Sequence, residues 1–176
     1  MAAIEDLLTL YRLEGAALYG GEAVTQLEHA LQCAGLAERS GASDALVAAC
    51  FLHDAGHLVM ANAGKPESDG VHQCAAMPLL GAVFPEAVLA PIRLHVDAKR
   101  YLCHVDTSYR SSLSSASRSL ELQGGVFDEP AAARFLRDPY AEDALLLRRF
   151  DDLAKTPGAA TPALEHYEQL LRCLAR

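Results

Sequence analysis

The sequence of 176 residues lacks the features that mark several functional classes. It has no basic run and carries a net charge of −8, which argues against a general binder of nucleic acids or anionic membranes. No segment comes close to the roughly 20 apolar residues that cross a bilayer. Residues 1–15 lack the basic start and the apolar core of a signal peptide. We therefore expect a cytoplasmic protein that engages neither nucleic acid nor membrane.

The cysteines also lack the pattern of a disulfide framework or a zinc motif. Five is an odd number, and no two of them form a CxxC pair. Without a secretion signal, such cysteines are usually reduced thiols, most often placed in the core. They are Cys33, Cys50, Cys74, Cys103 and Cys173.

No stretch shows the alternation of a β-strand, and no repeat or low-complexity tract is present. Helical patterns dominate, and 51% of the residues are apolar, as in ordinary globular proteins. The length suits one core. We predict one all-α domain over residues 1–176, with its core at about 19–155 and a C-terminal helix at about 162–174. The predicted helices cover residues 3–14, 21–39, 43–60, 72–83, 86–101, 107–121, 129–137, 140–155 and 162–174.

Local signals predict some helix ends. Ser43 and Thr161 are of the residue types that cap helix N-termini, and Pro162 suits the first position of a helix. Pro91 is expected to kink or restart its helix, because proline cannot donate the main-chain hydrogen bond.

The octapeptide FLHDAGHL at 51–58 places polar chemistry at the end of an apolar segment, ALVAACFL at 45–52. A helix that is apolar on all sides is predicted to be buried. A carboxylate there is costly unless an opposite charge holds it. His53 and Asp54 can reach one cation near the helix end, and the two oxygens of the carboxylate can bridge two cations. His57 is then either a further ligand or a donor behind the ligands.

A polar stripe precedes this segment. If a helix begins near residue 21, then Glu22, Gln26 and His29 share one face, and Tyr19 lies just before it. Such a stripe is usually solvated. The neighbouring positions here are mostly apolar, however, so the stripe can also face an internal cavity.

The remaining histidines divide into two sets. His72 opens a predicted helix after a loop, and His95 lies one turn before Lys99. Capping, surface or solvated basic positions explain these residues equally well when each is taken alone. His104 and His166 stand among polar residues and are expected on the surface.

The segment ALLLRRFDDLAK places Arg148, Asp151 and Lys155 on one helix face, which is usually a salt-bridged surface. The joint pattern indicates more. An early histidine, an adjacent His-Asp pair and a late aspartate, all on predicted helices, resemble the metal signature of the HD superfamily.

Longer motifs resemble more narrowly the phosphonate-cleaving HD oxygenases of the PhnZ and TmpB type. The resemblance extends over most of the chain, from about residue 19 to 155, and implies a helical bundle with a two-metal site in its core. The motifs that carry it are YGGEAVTQLEHALQCA, LHDAGH, LHVDAKRYL, SYRSSLSSASRSLELQGG and RRFDDLAK. One departure is Gln73, where a glutamate is expected.

The resemblance implies a mixed-valent Fe(II)/Fe(III) pair with O2 as co-substrate. Tyr19 would fill the remaining position of the first iron in the resting state and leave when substrate binds, with Glu22 moving alongside it. The implied ligands are His29, His53, Asp54 and Asp151 for one iron, and Asp54, His72 and His95 for the other.

By the same resemblance, Lys99, Ser117, Arg148 and His57 would surround a phosphonate, with Gln26 a weaker candidate. Cationic groups and a hydroxyl are suited to phosphonate oxygens. The implied reaction cleaves the C–P bond of a 1-hydroxy-2-(substituted amino)ethylphosphonate to phosphate and a carboxylate, either glycine or glycine betaine. A hydroxylase would act upstream.

Two other functions remain open from the residues. HD sites commonly hydrolyse phosphate esters with metal-activated water, which needs neither a displaceable tyrosine nor a redox-active metal. A metal-dependent binding domain without catalysis is the third possibility.

Overall fold

The computed structural model describes residues 2–20, 22–64, 72–113 and 120–176. These residues form an all-α protein, as predicted, and the only extended pairing among them is a single bridge between Leu18 and Thr25. The helices are α1 (Ala2–Glu14), α2 (Gln26–Arg39), α3 (Asp44–Leu52), α4 (Ala55–Asn62), α5 (His72–Ala75), α6 (Met77–Leu80), α7 (Glu86–Val105), α8 (Thr107–Ser112), α9 (Glu129–Phe135), α10 (Ala141–Leu153) and α11 (Leu164–Leu174).

Helix α3 is the centre of the fold. The side chain of Ser43 accepts a hydrogen bond from the amide of Leu46, which confirms the predicted N-cap. Every residue from Leu46 to Leu52 is buried, and α3 packs against α2, α7, α10 and α11. A helix without a polar face has no side for solvent, so it is stable only when other helices surround it.

The segment Asp44–Asn62 is long and apolar enough to cross a membrane by length and composition alone. The expectation that no segment comes close to this was therefore wrong. Two-thirds of the segment is buried inside the protein, which is the behaviour of a core helix.

The start of α2 differs from the prediction. Thr25 forms a capping box with Glu28, in which each side chain bonds the other residue's main-chain amide. Because this box begins the helix at Gln26, Tyr19 and Glu22 lie in the preceding turn. The amide of Glu22 donates to the carbonyl of Tyr19 at 2.7 Å.

The predicted helix at 43–60 is two helices. His53 ends α3, and Asp54 has φ −102° and ψ 11°, outside the helical region, before α4 begins. The predicted helix at 72–83 likewise divides into α5 and α6. Because of the break, the carboxylate of Asp54 points in a different direction relative to His53 than it would on a continuous helix.

Two predictions about helix ends were wrong. The helix predicted at 86–101 continues to Val105 and passes through Pro91, so it does not restart at the proline; a kink there stays a prediction. Helix α7 packs against α3 and α10, and one lost amide donor does not end it. Helix α11 begins at Leu164 with Ala163 as N-cap, not with Thr161 and Pro162. Of the predicted helix at 107–121, residues 114–119 lie outside the described part of the chain.

Candidate metal centre

Six side chains that could hold metal ions meet where α2, α3, α4, α5, α7 and α10 come together. None is more than 8% exposed. They are His29, His53, Asp54, His72, His95 and Asp151, the six metal-ligand candidates other than Tyr19.

One group, the aspartate half, consists of His29, His53 and Asp151 around one oxygen of Asp54. Oδ2 of Asp54 lies 3.3 Å from Nε2 of His53 and 3.7 Å from Nε2 of His29. Oδ1 of Asp151 lies 3.4 Å from Nε2 of His29 and 3.9 Å from Nε2 of His53.

The other group, the histidine half, consists of His72 and His95 around the second oxygen of Asp54. Oδ1 of Asp54 lies 3.4 Å from Nε2 of His72 and 4.0 Å from Nε2 of His95. The two Nε2 atoms are 3.1 Å apart. Asp54 therefore presents one oxygen to each half, which is the arrangement of a carboxylate that bridges two cations.

The main chain fixes the tautomer of three of the four histidines. A neutral imidazole carries one N–H, and the other ring nitrogen is a lone-pair donor to a metal. In each case Nδ1 donates to a carbonyl: His29 to Ala154 at 2.8 Å, His53 to Cys50 at 2.9 Å and His95 to Ile92 at 2.7 Å. When these rings are neutral, as they must be to bind a metal, each Nε2 is left bare and directed into the centre.

The donor set fits two metal cations. Nε2 lone pairs and carboxylate oxygens at these distances repel one another unless positive charge lies between them. Imidazole nitrogen with carboxylate oxygen suits iron, zinc and related metals, and a carbonyl behind each ligating imidazole is the usual support. His29, His53 and Asp54 are close enough to share one ion, as are Asp54, His72 and His95.

The electrostatics of the two halves differ. Burial lowers the pKa of His72 to about 4 and that of His95 to about 3, so both are neutral at pH 7. Burial also opposes the charge of His53, but the nearby acidic groups, Asp54 first, together outweigh it and raise the His53 pKa to about 10. Burial would raise the pKa of Asp54, yet His53, together with His57 and His72, holds it well below its ordinary value. At pH 7 the metal-free aspartate half therefore holds a proton on His53, which a bound metal ion would replace.

Tyr19 reaches the aspartate half. Its ring stacks on that of His29, with centroids 3.9 Å apart and planes 12° apart, and its hydroxyl donates to Oδ1 of Asp151 at 3.4 Å. Burial, reinforced by Asp151 and Asp54, raises the Tyr19 pKa well above its ordinary value. Lys155 lies 3.7 Å from the carboxylate of nearby Glu22.

Arg148 faces acidic partners. Its Nη1 donates to Oδ2 of Asp151 at 2.6 Å, its Nη2 to Asp152, and its Nε to the hydroxyl of Tyr109 at 3.0 Å. Arg148 thus contacts the metal centre through a ligand candidate. Sequence reasoning gave no role to Tyr109 or Asp152, although they lie within the motifs SYRSSLSSASRSLELQGG and RRFDDLAK.

The other substrate candidates lie in three places. His57 is not among the converging donors; its ring stacks on His72 at 4.4 Å, and it lines a cavity of about 150 Å³ together with Gln26. Lys99 is buried on α7, one turn beyond His95. Ser117 lies outside the described residues.

Gly56 was also missed. A Cβ added there would lie 1.8 Å from the carbonyl oxygen of His72, so only glycine allows α4 to approach α5 this closely. The signal was present in the small residues between the two histidines of HDAGH.

The cysteines and the remaining histidines match their predicted places in part. All five cysteines are free: Cys33, Cys50 and Cys103 are buried, whereas Cys74 and Cys173 are exposed. His166 is exposed beside Glu38, and His104 is half-buried beside Glu129.

Known proteins resemble nearly the whole chain. It is 43% identical over 169 residues to the hydroxymethylphosphonate dioxygenase of Gimesia maris, covering 93% of the chain and 84% of that relative. It is 33% identical over 174 residues to the [1-hydroxy-2-(trimethylamino)ethyl]phosphonate dioxygenase (glycine-betaine-forming) of Leisingera caerulea, covering 96% and 88%. The chain belongs to the hydroxyphosphonate dioxygenases.

The resemblance to oxygenases of the PhnZ and TmpB type is thereby confirmed, and the protein is an oxidoreductase. A further relative is the uncharacterized protein L432 of Acanthamoeba polyphaga mimivirus, 34% identical over 174 residues, with 96% of this chain and 80% of that protein covered. No protein-family model matches the chain. Membership of the hydroxyphosphonate dioxygenases favours an oxygenase over the phosphohydrolase and the binding domain.

Proposed function

We propose that this protein is a di-iron oxygenase that uses O2 to cleave the C–P bond of a 1-hydroxyphosphonate. The observation that carries the proposal is the pair of donor groups that share the two oxygens of Asp54. The C1–H and C–P bonds break, one oxygen atom of O2 joins carbon and the other joins phosphorus, and the products are a carboxylate and phosphate. The four electrons that reduce O2 come from the broken C1–H and C–P bonds; a mixed-valent Fe(II)/Fe(III) pair would give O2 its first electron, recover it from the substrate, and act as the Lewis acid for the substrate hydroxyl.

The aspartate half is proposed to hold one iron through His29, His53, Asp54 and Asp151, and the histidine half to hold the other. Tyr19 is proposed as a ligand that leaves when substrate arrives. Its position in a turn supports this role, because a turn can move without unwinding a helix. Glu22, whose amide bonds the carbonyl of Tyr19, would move with it.

Binding of the anionic substrate is proposed to use Lys99, Arg148, His57 and Gln26, with Ser117 from outside the described residues. Irons at +2 and +3 offset by two carboxylates leave about +3 at the centre. That local charge would attract a phosphonate despite the net charge of −8 on the whole protein.

The candidate substrates differ in the group attached to C1. The proposed substrate is a 1-hydroxy-2-(substituted amino)ethylphosphonate, with glycine or glycine betaine as product, and the Leisingera caerulea relative is named for such a substrate. Hydroxymethylphosphonate is a second candidate, because the relative named for it shares the higher identity of 43%.

The function is tested by incubating the iron-loaded protein with each of three compounds and measuring phosphate with and without O2. The compounds are hydroxymethylphosphonate, racemic 2-amino-1-hydroxyethylphosphonate and its trimethylammonium analogue. We expect O2-dependent phosphate from one of them, with formate, glycine or glycine betaine as the partner product.

Other outcomes have distinct meanings. Equal phosphate release in the absence of O2 would identify a hydrolase instead. Binding of metal and phosphonate without turnover of any compound would identify a binding domain. Mössbauer or EPR spectra give an independent reading, since a hydrolase gains nothing from a mixed-valent pair.

We propose further that residues 1–176 act as one domain in the cytoplasm. The substrate carries a hydroxyl on the carbon next to phosphorus, so a hydroxylase of phosphonates is proposed as the preceding enzyme.

A further inference from the structure

A ring of hydrogen bonds lies behind the aspartate half and joins α8 to α10. Arg148 Nε donates to the hydroxyl of Tyr109 at 3.0 Å, and that hydroxyl donates to Oδ2 of Asp152. Arg148 Nη2 donates to Oδ1 of the same carboxylate, which closes the ring. Asp152 thus bonds both the guanidinium and the phenol, and each of the three side chains fixes the other two.

The third nitrogen of Arg148 points out of this ring toward the metal centre. Nη1 donates to Oδ2 of Asp151 at 2.6 Å, and both side chains are almost fully buried. Oδ1 of Asp151 is the atom that faces His29. Because Oδ2 is held by a charged donor, rotation of the carboxylate about its own axis is opposed, and Oδ1 is kept on the metal side.

An ordinary surface salt bridge does not explain the arrangement. Arg148 is 5% exposed, and two carboxylates surround its single positive charge, so the cluster has a net charge of −1. A guanidinium needed only to neutralise Asp151 would not require a second acid and a tyrosine. Asp152 and Tyr109 are both needed if the orientation of the guanidinium plane matters, because a guanidinium held by a single hydrogen bond can rotate about that bond.

We propose that Tyr109 and Asp152 are positioning residues that act through Arg148 to set the orientation of Asp151 in the aspartate half. The inference rests on the metal centre of the proposed function but not on its substrate. Removing groups that support a metal ligand typically weakens metal affinity about 10- to 100-fold, and the loss should be confined to the half that contains Asp151.

The test is a Co(II) titration of the metal-free protein, followed by the absorption bands of the bound ion. To separate the two positions, Tyr109→Phe and Asp152→Asn are each combined with His95→Gln, which disables the histidine half, and with His29→Gln, which disables the aspartate half. In the His95→Gln background we expect Co(II) affinity to fall about 10-fold or more, with a shifted band. In the His29→Gln background we expect no change in affinity.

The matched control is Tyr101→Phe, which removes a hydroxyl from a half-buried tyrosine whose ring packs on Phe135 in a separate cluster. It should leave both affinities unchanged. Circular dichroism at the same temperature checks that every variant is folded.

Unchanged affinity in the His95→Gln background would overturn the proposal. Equal weakening in both backgrounds would also overturn it, because it would show a general structural role. If the protein without substitutions bound no Co(II), the metal centre itself would fail, and that result is distinguishable from the first two.

Discussion

The two halves of the metal centre are held by different kinds of interaction. In the aspartate half, both imidazoles donate to main-chain carbonyls and the carboxylate of Asp151 receives a bond from Arg148. In the histidine half, His95 donates to a carbonyl, but Nδ1 of His72 has no hydrogen-bond partner within the described ranges of the chain. His72 is placed instead by ring stacking on His57 and by contact with Gly56.

The aspartate half is thus positioned mainly by directional hydrogen bonds, whereas His72 in the histidine half is positioned by packing. Hydrogen bonds fix the direction of a lone pair, so the aspartate half should tolerate changes in neighbouring volume. Stacking and close contact fix position only while the space around them is unchanged. The histidine half should therefore be the more sensitive to packing, and the aspartate half the more sensitive to loss of polar groups.

The largest effect is expected from Asp54→Ala, because this variant removes the carboxylate that the two halves share. Both metal positions should empty, and activity should fall by about 1000-fold or more, as for loss of a catalytic group. Metal analysis by mass spectrometry gives the stoichiometry. Asp97→Ala, on a carboxylate that bonds Arg100 at the surface, should keep both ions. Loss of one ion alone in Asp54→Ala would contradict bridging.

A second variant separates the halves. In Gly56→Ala the new Cβ would meet the main chain of His72, so α4 and α5 must move apart, at a cost of about 3 kcal/mol. We expect a lower melting temperature and weaker metal binding in the histidine half, measured in the His29→Gln background. Gly35→Ala, whose Cβ meets the flexible end of Arg39 at 3.1 Å, is the control and should be close to neutral. Equal effects from the two would contradict the role of Gly56.

The free energy of unfolding of the metal-free protein should depend on pH in opposite directions through the histidines of the two halves. The pKa values of His72 and His95 are lowered by burial to about 4 and about 3, from 6.5 in the unfolded chain. The unfolded state then binds more protons between pH 6.5 and 4, so the free energy of unfolding decreases as the pH falls through this window. Each group contributes up to about 1.4 kcal/mol per pH unit.

His53 acts in the other direction. Its pKa is raised to about 10 because the nearby acidic groups, Asp54 first, together outweigh the effect of burial, so its contribution is complete below pH 6.5 and is lost as the pH rises to 10. Urea unfolding measured across this range tests both windows. His95→Gln should flatten chiefly the acidic side, and His53→Gln chiefly the alkaline side. If His95→Gln changed the alkaline side of the stability curve instead, or His53→Gln the acidic side, the assignment of the two pH windows to these histidines would be refuted.

The smallest effect on stability is expected for Tyr19→Phe, which tests the role of the Tyr19 hydroxyl in the aspartate half. The variant keeps the stack on His29 and loses a 3.4 Å hydrogen bond to Asp151, worth about 1 kcal/mol or less. We expect an altered EPR or Mössbauer spectrum of the resting iron-loaded protein, or faster substrate entry. Tyr140→Phe, at the N-cap of α10, should leave both measurements as they were, and a Tyr19→Phe protein indistinguishable from it would exclude the displaceable ligand.

Much of the fold was predictable because local patterns decide it. The all-apolar run of α3 and its Ser43 cap follow from side chains within a few residues of one another. The start of α2 was not predicted correctly, since the Thr25 capping box competed with a continuous helical pattern. Neither proline nor glycine occupies the position of the break at Asp54, so its place was not predicted from local signals.

The ligand candidates were found through residue types and family motifs, but their supports were not. The carbonyl that orients His29 belongs to Ala154, and the amide of Gln32 bonds the main chain of Thr156 next to it. Any residue can supply a carbonyl, so the sequence carries no sign of such a partner. The same holds for the contact of Gly56 with His72.

The sequence by itself determined the helical class, the buried central helix and the supply of histidine and aspartate donors, because hydrophobic period and residue chemistry act locally. Only the tertiary structure decided that the two oxygens of Asp54 face different histidine groups, which nitrogen each imidazole directs inward, and that Arg148 bonds Asp151. These features depend on the direction of lone pairs between helices distant in the chain. Direction is set by packing and by main-chain partners, and neither has a fixed spacing in sequence.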